Sequence, residues 1–380
     1  MRRSWPTLIL LGFCQFCATW GSLAIIAVQV EMRSGLGISG GRVAALVWSY
    51  SFSLAFGALA AQGLIGHWSR RKVLVASLLV LGASAVALGF AQSFEQAMMA
   101  RVMMALGTAS IMPTASVIAA SMVTEEQRPA AMAMVFGGLT AALVLALPIS
   151  SAIAEALGWR MVWYVAGGAA IVAAIGVNYG VPRGVHGTRA SLAAMLAVLS
   201  DRASGLTIAT TALLVGGGFV TYAMIAFWFI EAGGAPRVAL TPALLAGGLA
   251  SMAGNAMAAP VVRLLGREGT VLAGLAFMAS CFVVLWLSPH FYILSYPAFI
   301  CFGIGWSICL APLQARLMET AGERAQLALA LNASAFFAGQ GLGALAGGLV
   351  YETLGPGLLP LASLLVLLLA TGLFVMSRRP

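Results

Sequence analysis

Residues 269–315 read GTVLAGLAFMASCFVVLWLSPHFYILSYPAFICFGIGWSICLAPLQA, 47 positions without one acidic or basic charge. A helix that crosses a bilayer needs about 20 apolar residues, so this run is too long for one span. It is interrupted at Ser288-Pro289-His290, a turn-like tripeptide, which predicts two helices. Reading outward, the other charge-free runs are 4–30, 43–69, 73–94, 102–124, 129–154, 161–182, 203–230, 238–262, 325–351 and 353–377. Each holds 22 to 28 residues, one span apiece. The expected fold class is therefore an all-α membrane protein with twelve transmembrane helices. The short alternating segments of a membrane β-barrel do not occur.

The composition agrees. Of 380 residues, 61% are hydrophobic and 8% charged, against roughly 25% charged in a soluble domain; the mean hydropathy is +1.00. This excludes a soluble enzyme, a nucleic-acid-binding module and a disordered chain. The net charge of +9 is spread over segment ends and forms no basic stripe, so no nucleic-acid partner is expected. Met1-Arg2-Arg3 and the run to Val30 look superficially like a signal peptide. The run is too long for that and lacks a small-residue cleavage site, so an uncleaved first helix is expected.

Basic residues set the orientation. With the N-terminus inside, fifteen of the twenty arginines and lysines fall on inner segments and five (Arg33, Arg42, Arg101, Arg160 and Arg237) elsewhere. This bias predicts that both termini are cytoplasmic. The chain then divides into an N-terminal six-helix bundle, 1–180, a cytoplasmic linker, 181–203, and a C-terminal six-helix bundle, 204–380. Within the linker, Ser191–Ser200 is apolar enough for a short interfacial helix; a plain flexible connection is the alternative.

The halves repeat. Arg128 matches Arg324, Glu155-Ala-Leu-Gly158 matches Glu352-Thr-Leu-Gly355, and Lys72-Val-Leu matches Thr270-Val-Leu, at offsets of 196, 197 and 198. Two six-helix pseudo-repeats of like orientation place a solute site between them near mid-membrane.

With these features the chain resembles the major facilitator superfamily of transporters, most closely its bacterial drug:proton antiporter and sugar-efflux branches. That family's loop between helices two and three reads Gly-x-x-x-Asp-Arg-x-Gly-Arg-Arg. Here it is Gly63-Leu-Ile-Gly-His67-Trp-Ser-Arg70-Arg71-Lys72, with the acid replaced by His67 and the second glycine by Arg70. Arg101-Val-Met-Met-Ala-Leu-Gly107 followed by Pro113, and Gly158-Trp159-Arg160, also match. Of the fifth-helix antiporter motif, only Gly137, Gly138 and Pro148 remain. The resemblance implies the major facilitator fold, a bacterial inner-membrane location, and a conformational role for Gly63, His67, Arg71 and Lys72. The plainer reading of Arg70, Arg71 and Lys72 is that they are topology signals.

The resemblance also implies a pathway lined by helices one, four, seven and ten. Helix one carries Gln15, Thr19 and Ser22 on one face. Arg101 lies six residues past Glu95, inside helix four by about 9 Å, where a charge is costly unless it meets a cavity or a partner; snorkelling to the headgroups is the alternative. Thr108, Tyr222, Trp306 and Cys309 complete the four helices. Asn255 on helix eight, and Asn332, Phe336 and Gln340 on helix eleven, are further pathway candidates, with inter-helix hydrogen bonding as their alternative role.

All eleven carboxylates sit at helix ends or loops. Proton coupling is therefore expected to be weak, absent or dependent on Glu31, the acid nearest the outer mouth. His67, His186 and His290 are isolated and the five cysteines are scattered, so neither a metal nor a cofactor is expected, and no nucleophile–base pair suggests an enzyme. The expected function is efflux of amphipathic or drug-like small molecules by alternating access, by a monomer in the lipid bilayer, with protons as the coupling ion if any. The alternatives are uptake or exchange of a polar or anionic metabolite, with Arg101 as counter-charge, and a non-transporting receptor on the same fold.

Overall fold

The computed structural model describes residues 5–64, 68–182, 184–185 and 197–377. All regular structure among them is helical, with no strand. The helices are α1 (Trp5–Ala27), α2 (Gln29–Leu36), α3 (Gly40–Leu64), α4 (Arg70–Phe90), α5 (Phe94–Thr108), α6 (Ile111–Ser121), α7 (Arg128–Leu157), α8 (Trp159–Gly180), α9 (Arg202–Tyr222), α10 (Leu240–Leu287), α11 (Ser295–Ala321), α12 (Ala325–Leu354) and α13 (Leu359–Met376). Backbone polar groups cannot find water inside a bilayer, so a chain this apolar satisfies them within helices.

Ten stretches of the described residues are long and apolar enough to cross a membrane. Two are much longer than one span. Arg237–Leu287 has 51 residues and Tyr292–Leu354 has 63. Inside the first, Gly266 leaves helical geometry at φ 70° and ψ 172°; the second bends at Gly322, with φ 52°. Between them, α10 ends at Leu287, followed by Ser288.

Packing groups the chain into two compact units, one of residues 1–31 with 56–191, the other of 32–55 with 192–380. In the first, α4 lies along α8 and α5, and α1 along α7 and α8. In the second, α10 lies along α11, and α9 along α12 and α13. Lipid is as apolar as leucine, so close van der Waals fit carries these contacts. Where α1 crosses α7, a Cβ on Gly138 would fall on the carbonyl of Gly12; only glycine permits that approach. Most of the Arg202–Ala232 stretch is buried, whereas most of α13 is not. Leu365, Leu368 and Leu369 of α13 are exposed, as suits a face against acyl chains.

The helices α7 and α12 each have 30 residues. Short 3-10 turns, Glu125–Gln127 and Gly322–Arg324, precede them. They end at Gly158, with φ 87° and ψ 157°, and at Gly355, with φ 83° and ψ 169°. Of the interfacial segment Ser191–Ser200, only the last turn, Ala197–Ser200, falls within the described residues, as a 3-10 turn.

Candidate substrate pathway

In the first unit, α5 carries Arg101 into the interior, where it is 0% exposed. Its guanidinium donates to the carbonyl of Gly21 at 2.9 Å and of Ser22 at 3.5 Å, and lies 5.8 Å from the ring centre of Trp163. Carbonyl oxygens and an aromatic face are the partners a buried cation requires. Nearby on α1, Trp20 donates to Ser150 Oγ at 2.8 Å. Gln15 is buried at 5% exposure, and its Oε1 finds no hydrogen-bond partner among the described residues. Thr19 and Ser22 are half-buried. Thr108 is half-buried and turns back on its own helix, donating to Met104 O at 2.9 Å.

In the second unit the chain breaks after α9. A single helical turn, Ile225–Phe227, and a π-helical turn, Trp228–Ala232, follow it. At the break an aromatic cluster forms. Tyr222 stacks on Phe302 at 5.4 Å, Phe302 lies 5.7 Å from Trp306, and Trp306 lies 5.8 Å from Phe336. Phe219 touches both Tyr222 and Trp306. A small void of about 10 Å³ lies against Tyr222, Phe282 and Phe302, room for roughly one water. On α12, Asn332 and Gln340 are each buried at 5% exposure. Asn332 stands one turn before Phe336, and its Oδ1 also lacks a partner among the described residues. A buried amide oxygen without a protein partner is costly.

The structure thus brings together Tyr222, Trp306 and Phe336, with Asn332 and Gln340 on the same helix as Phe336. Asn255 is exposed on α10. Phe219 and Phe302 were not anticipated, although Phe302 precedes Trp306 by four residues and shares its helix face. In the loop motif, Gly63 lies in the last turn of α3, Arg71 bonds the carbonyl and side chain of Asn178, and Lys72 is exposed. His67 lies outside the described residues. Glu31 is half-buried. The acid that sequence reading missed is Glu231, on the π-turn, bonded to Arg33 and Tyr351. Among the described residues no group of three or more His, Cys, Asp or Glu could hold a metal.

Long apolar helices, a broken helix lined by aromatic rings and a buried arginine held on carbonyls are the parts of a membrane carrier. The family model for the Major Facilitator Superfamily matches residues 9–344, and the chain belongs to that family. It is a transporter, not an enzyme. It is 27% identical to the inner membrane transport protein YdhP of Escherichia coli (strain K12), over the whole of this chain and 97% of that one. Over 39% of its length it is 25% identical to the purine ribonucleoside efflux pump NepI of Salmonella enteritidis PT4, covering 37% of that protein. Among solved structures it resembles a bacterial homologue of the human lysosomal transporter Spinster, with TM-score 0.77, 15% identity, and coverage of 99% of this chain and 96% of that one. It also resembles a mutant of the nucleoside transporter NupG, with TM-score 0.77, 12% identity, and coverage of 98% of this chain and 99% of that one.

Proposed function

We propose that this protein exports small, planar, weakly charged organic solutes across a bacterial inner membrane by alternating access. The observation that carries this reading is the aromatic cluster of Tyr222, Phe302, Trp306 and Phe336 at the broken helix, with the unpartnered amide of Asn332 one turn away. Flat π-faces hold a ring by stacking, and an amide oxygen supplies one oriented hydrogen bond. Arg101 serves as a fixed positive centre that holds α1 against α5. Its full burial on backbone carbonyls disfavours a role as counter-charge for an anionic solute. The names of two relatives, an inner membrane transport protein and a ribonucleoside efflux pump, point in the same direction.

The same reading includes twelve spans. Stretches of 51 and 63 residues measure about 76 and 94 Å at 1.5 Å per residue, each enough for two crossings of a core about 30 Å thick. Counting each as two raises ten to twelve, arranged as bundles 1–180 and 204–380 with both termini cytoplasmic. The protein acts as a monomer in the bilayer.

The test is counterflow in proteoliposomes with inosine and ethidium as probes. Wild-type protein is expected to exchange at least one of them saturably. Trp306→Ala and Phe302→Ala are each expected to raise the half-saturating concentration about two- to tenfold, because an aromatic contact is worth about 0.5–1.5 kcal/mol beyond its area. Unchanged saturation in both variants would overturn the site.

A further inference from the structure

In the second unit the start of α3 lies beside the end of α12, and a groove of about 250 Å³ opens between them. Its walls include Arg42 and Trp48 of α3 and Leu345, Leu349 and Glu352 of α12. Its floor is closed, because the two helices touch there. A Cβ on Gly348 would come within 2.6 Å of the Ala44 Cβ, and one on Gly341 would meet the Phe52 ring at 3.0 Å. The groove is therefore a surface seam between two helices and not a tunnel.

Polarity changes along this seam. At one end, Glu352 accepts from the backbone N–H of Gly41 at 2.6 Å and from the Ser39 hydroxyl. That N–H is one of those left open at the start of α3. Arg42, next in the chain, is exposed, and its backbone N–H donates to Ser39 Oγ at 3.3 Å. An acid and a base thus share one rim. Beyond the rim the walls are apolar. Trp48 follows on α3, with the Phe52 ring edge-on at 6.0 Å. On α12, Leu349 and Leu342 are 59% and 55% exposed, and Leu345 lies between them. From Arg42 to Phe52 is about 15 Å of helix at 1.5 Å per residue, half of a hydrocarbon core about 30 Å thick. The apolar part of the seam is one leaflet deep.

We propose that this groove seats one phospholipid of the phosphatidylethanolamine class. Arg42 holds the phosphate, Glu352 holds the primary ammonium, and an acyl chain lies along Trp48, Leu345 and Leu349. The inference rests on the membrane-spanning reading of these helices and not on the identity of the solute. A guanidinium presents forked donors that match phosphate oxygens. A pocket with bases alone would favour anionic lipids; the carboxylate beside Arg42 disfavours extra negative charge and rewards a headgroup that carries its own cation. Tryptophan at this depth suits the boundary between headgroups and chains. Size argues against a free solute, since pockets that enclose drug-sized ligands hold about 300–1,000 Å³ and this one is smaller and open along its side.

Native mass spectrometry tests this. Delipidated protein in a maltoside detergent is mixed with palmitoyl-oleoyl lipids that differ only in headgroup, and the lipid-bound fraction is measured. The parent is expected to retain one phosphatidylethanolamine at least about fivefold more strongly than phosphatidylglycerol. Glycerophosphoethanolamine, the same headgroup without chains, is expected not to be retained. Arg42→Gln, at an exposed side chain, is expected to lower phosphatidylethanolamine retention at least about fivefold. Glu352→Gln is expected to bring the two lipids within about twofold of each other. Because Glu352 also holds the start of α3, phosphatidylcholine on the parent gives the same information without a variant: its quaternary ammonium donates no hydrogen bond, and it is expected to bind at least about threefold more weakly. Equal retention of phosphatidylethanolamine and phosphatidylglycerol by the parent, retention by Arg42→Gln within about twofold of the parent, or equal binding of the chain-free headgroup would each overturn the seat. The readout involves no solute, so a failed counterflow assay would count against the proposed transport and leave this result standing.

Discussion

Replacing Gly158 or Gly355 by alanine isolates a purely conformational effect. Both glycines terminate 30-residue helices, at φ 87° and ψ 157° and at φ 83° and ψ 169°. That region of backbone space is open to glycine and almost closed to residues with a Cβ. At neither position would a Cβ meet any atom within 4 Å, so collision adds nothing and strain alone decides. The expected cost is about 1–3 kcal/mol at each site, a factor of about five or more in the ratio of folded to unfolded protein. Asparagine tolerates the left-handed helical region but not this one, so Gly158→Asn and Gly355→Asn are expected to behave like the alanine variants. Gly137→Ala is the control. It lies inside α7, with open space around its Cβ position, and is expected to be neutral or slightly stabilising. Equilibrium unfolding in mixed micelles, followed by tryptophan fluorescence, reads all five variants. If both alanine variants match wild type, or asparagine restores stability, the conformational argument fails.

Other outcomes follow from single contacts. Gly138→Val would drive a side chain into the Gly12 carbonyl, and is expected to abolish accumulation of folded protein, read by size-exclusion profile. Arg101→Lys removes the fork that reaches the Gly21 and Ser22 carbonyls, and is expected to lower stability by about 1–3 kcal/mol in the same unfolding assay. Asp201 caps α9, its Oδ2 accepting from Ser204 N at 2.8 Å. The bonds from Ser204 hold its carboxyl below the ordinary value. A lowered folded pKa means that its stabilisation is present above the unfolded value near about 4 and is lost as pH falls through the folded one. Asp201→Ala is therefore expected to cost about 1 kcal/mol at pH 7, with the gap to wild type closing below about pH 4; Asp201→Asn should keep most of the cap.

Helices and their breaks were legible because a membrane imposes a length and forbids charge. The gap after Leu287 falls at Ser288-Pro289-His290, where the run was already too long. The matched glycines at 158 and 355 were visible as a repeat, and their shared backbone geometry gives the repeat a physical reason: one chain turn that only glycine makes. Tyr222 and Trp306 stood out as candidates because a hydroxyl and an indole interrupt apolar helices, and Phe336 only because it lies between Asn332 and Gln340. Phe219 and Phe302 were hidden because phenylalanine in an apolar span looks the same on a lipid face and in a site. Glu231 was passed over for a different reason. It stands at a helix end among ordinary interfacial acids, and its partners Arg33 and Tyr351 lie 198 and 120 residues away. Nothing local announces a π-turn. The burial of Arg101 follows from tertiary packing too, since backbone carbonyls of another helix leave no signature in side-chain sequence.

The central claim, that this chain carries a small organic solute across the membrane, is met most directly by flux. The purified protein is reconstituted into liposomes loaded with unlabelled inosine or ethidium, and the entry of labelled probe is followed against protein-free vesicles. The account predicts a saturable, transient overshoot for at least one probe, diminished in Trp306→Ala. Folded, correctly inserted protein that gives no overshoot with either probe or with a wider panel of planar heterocycles would contradict it.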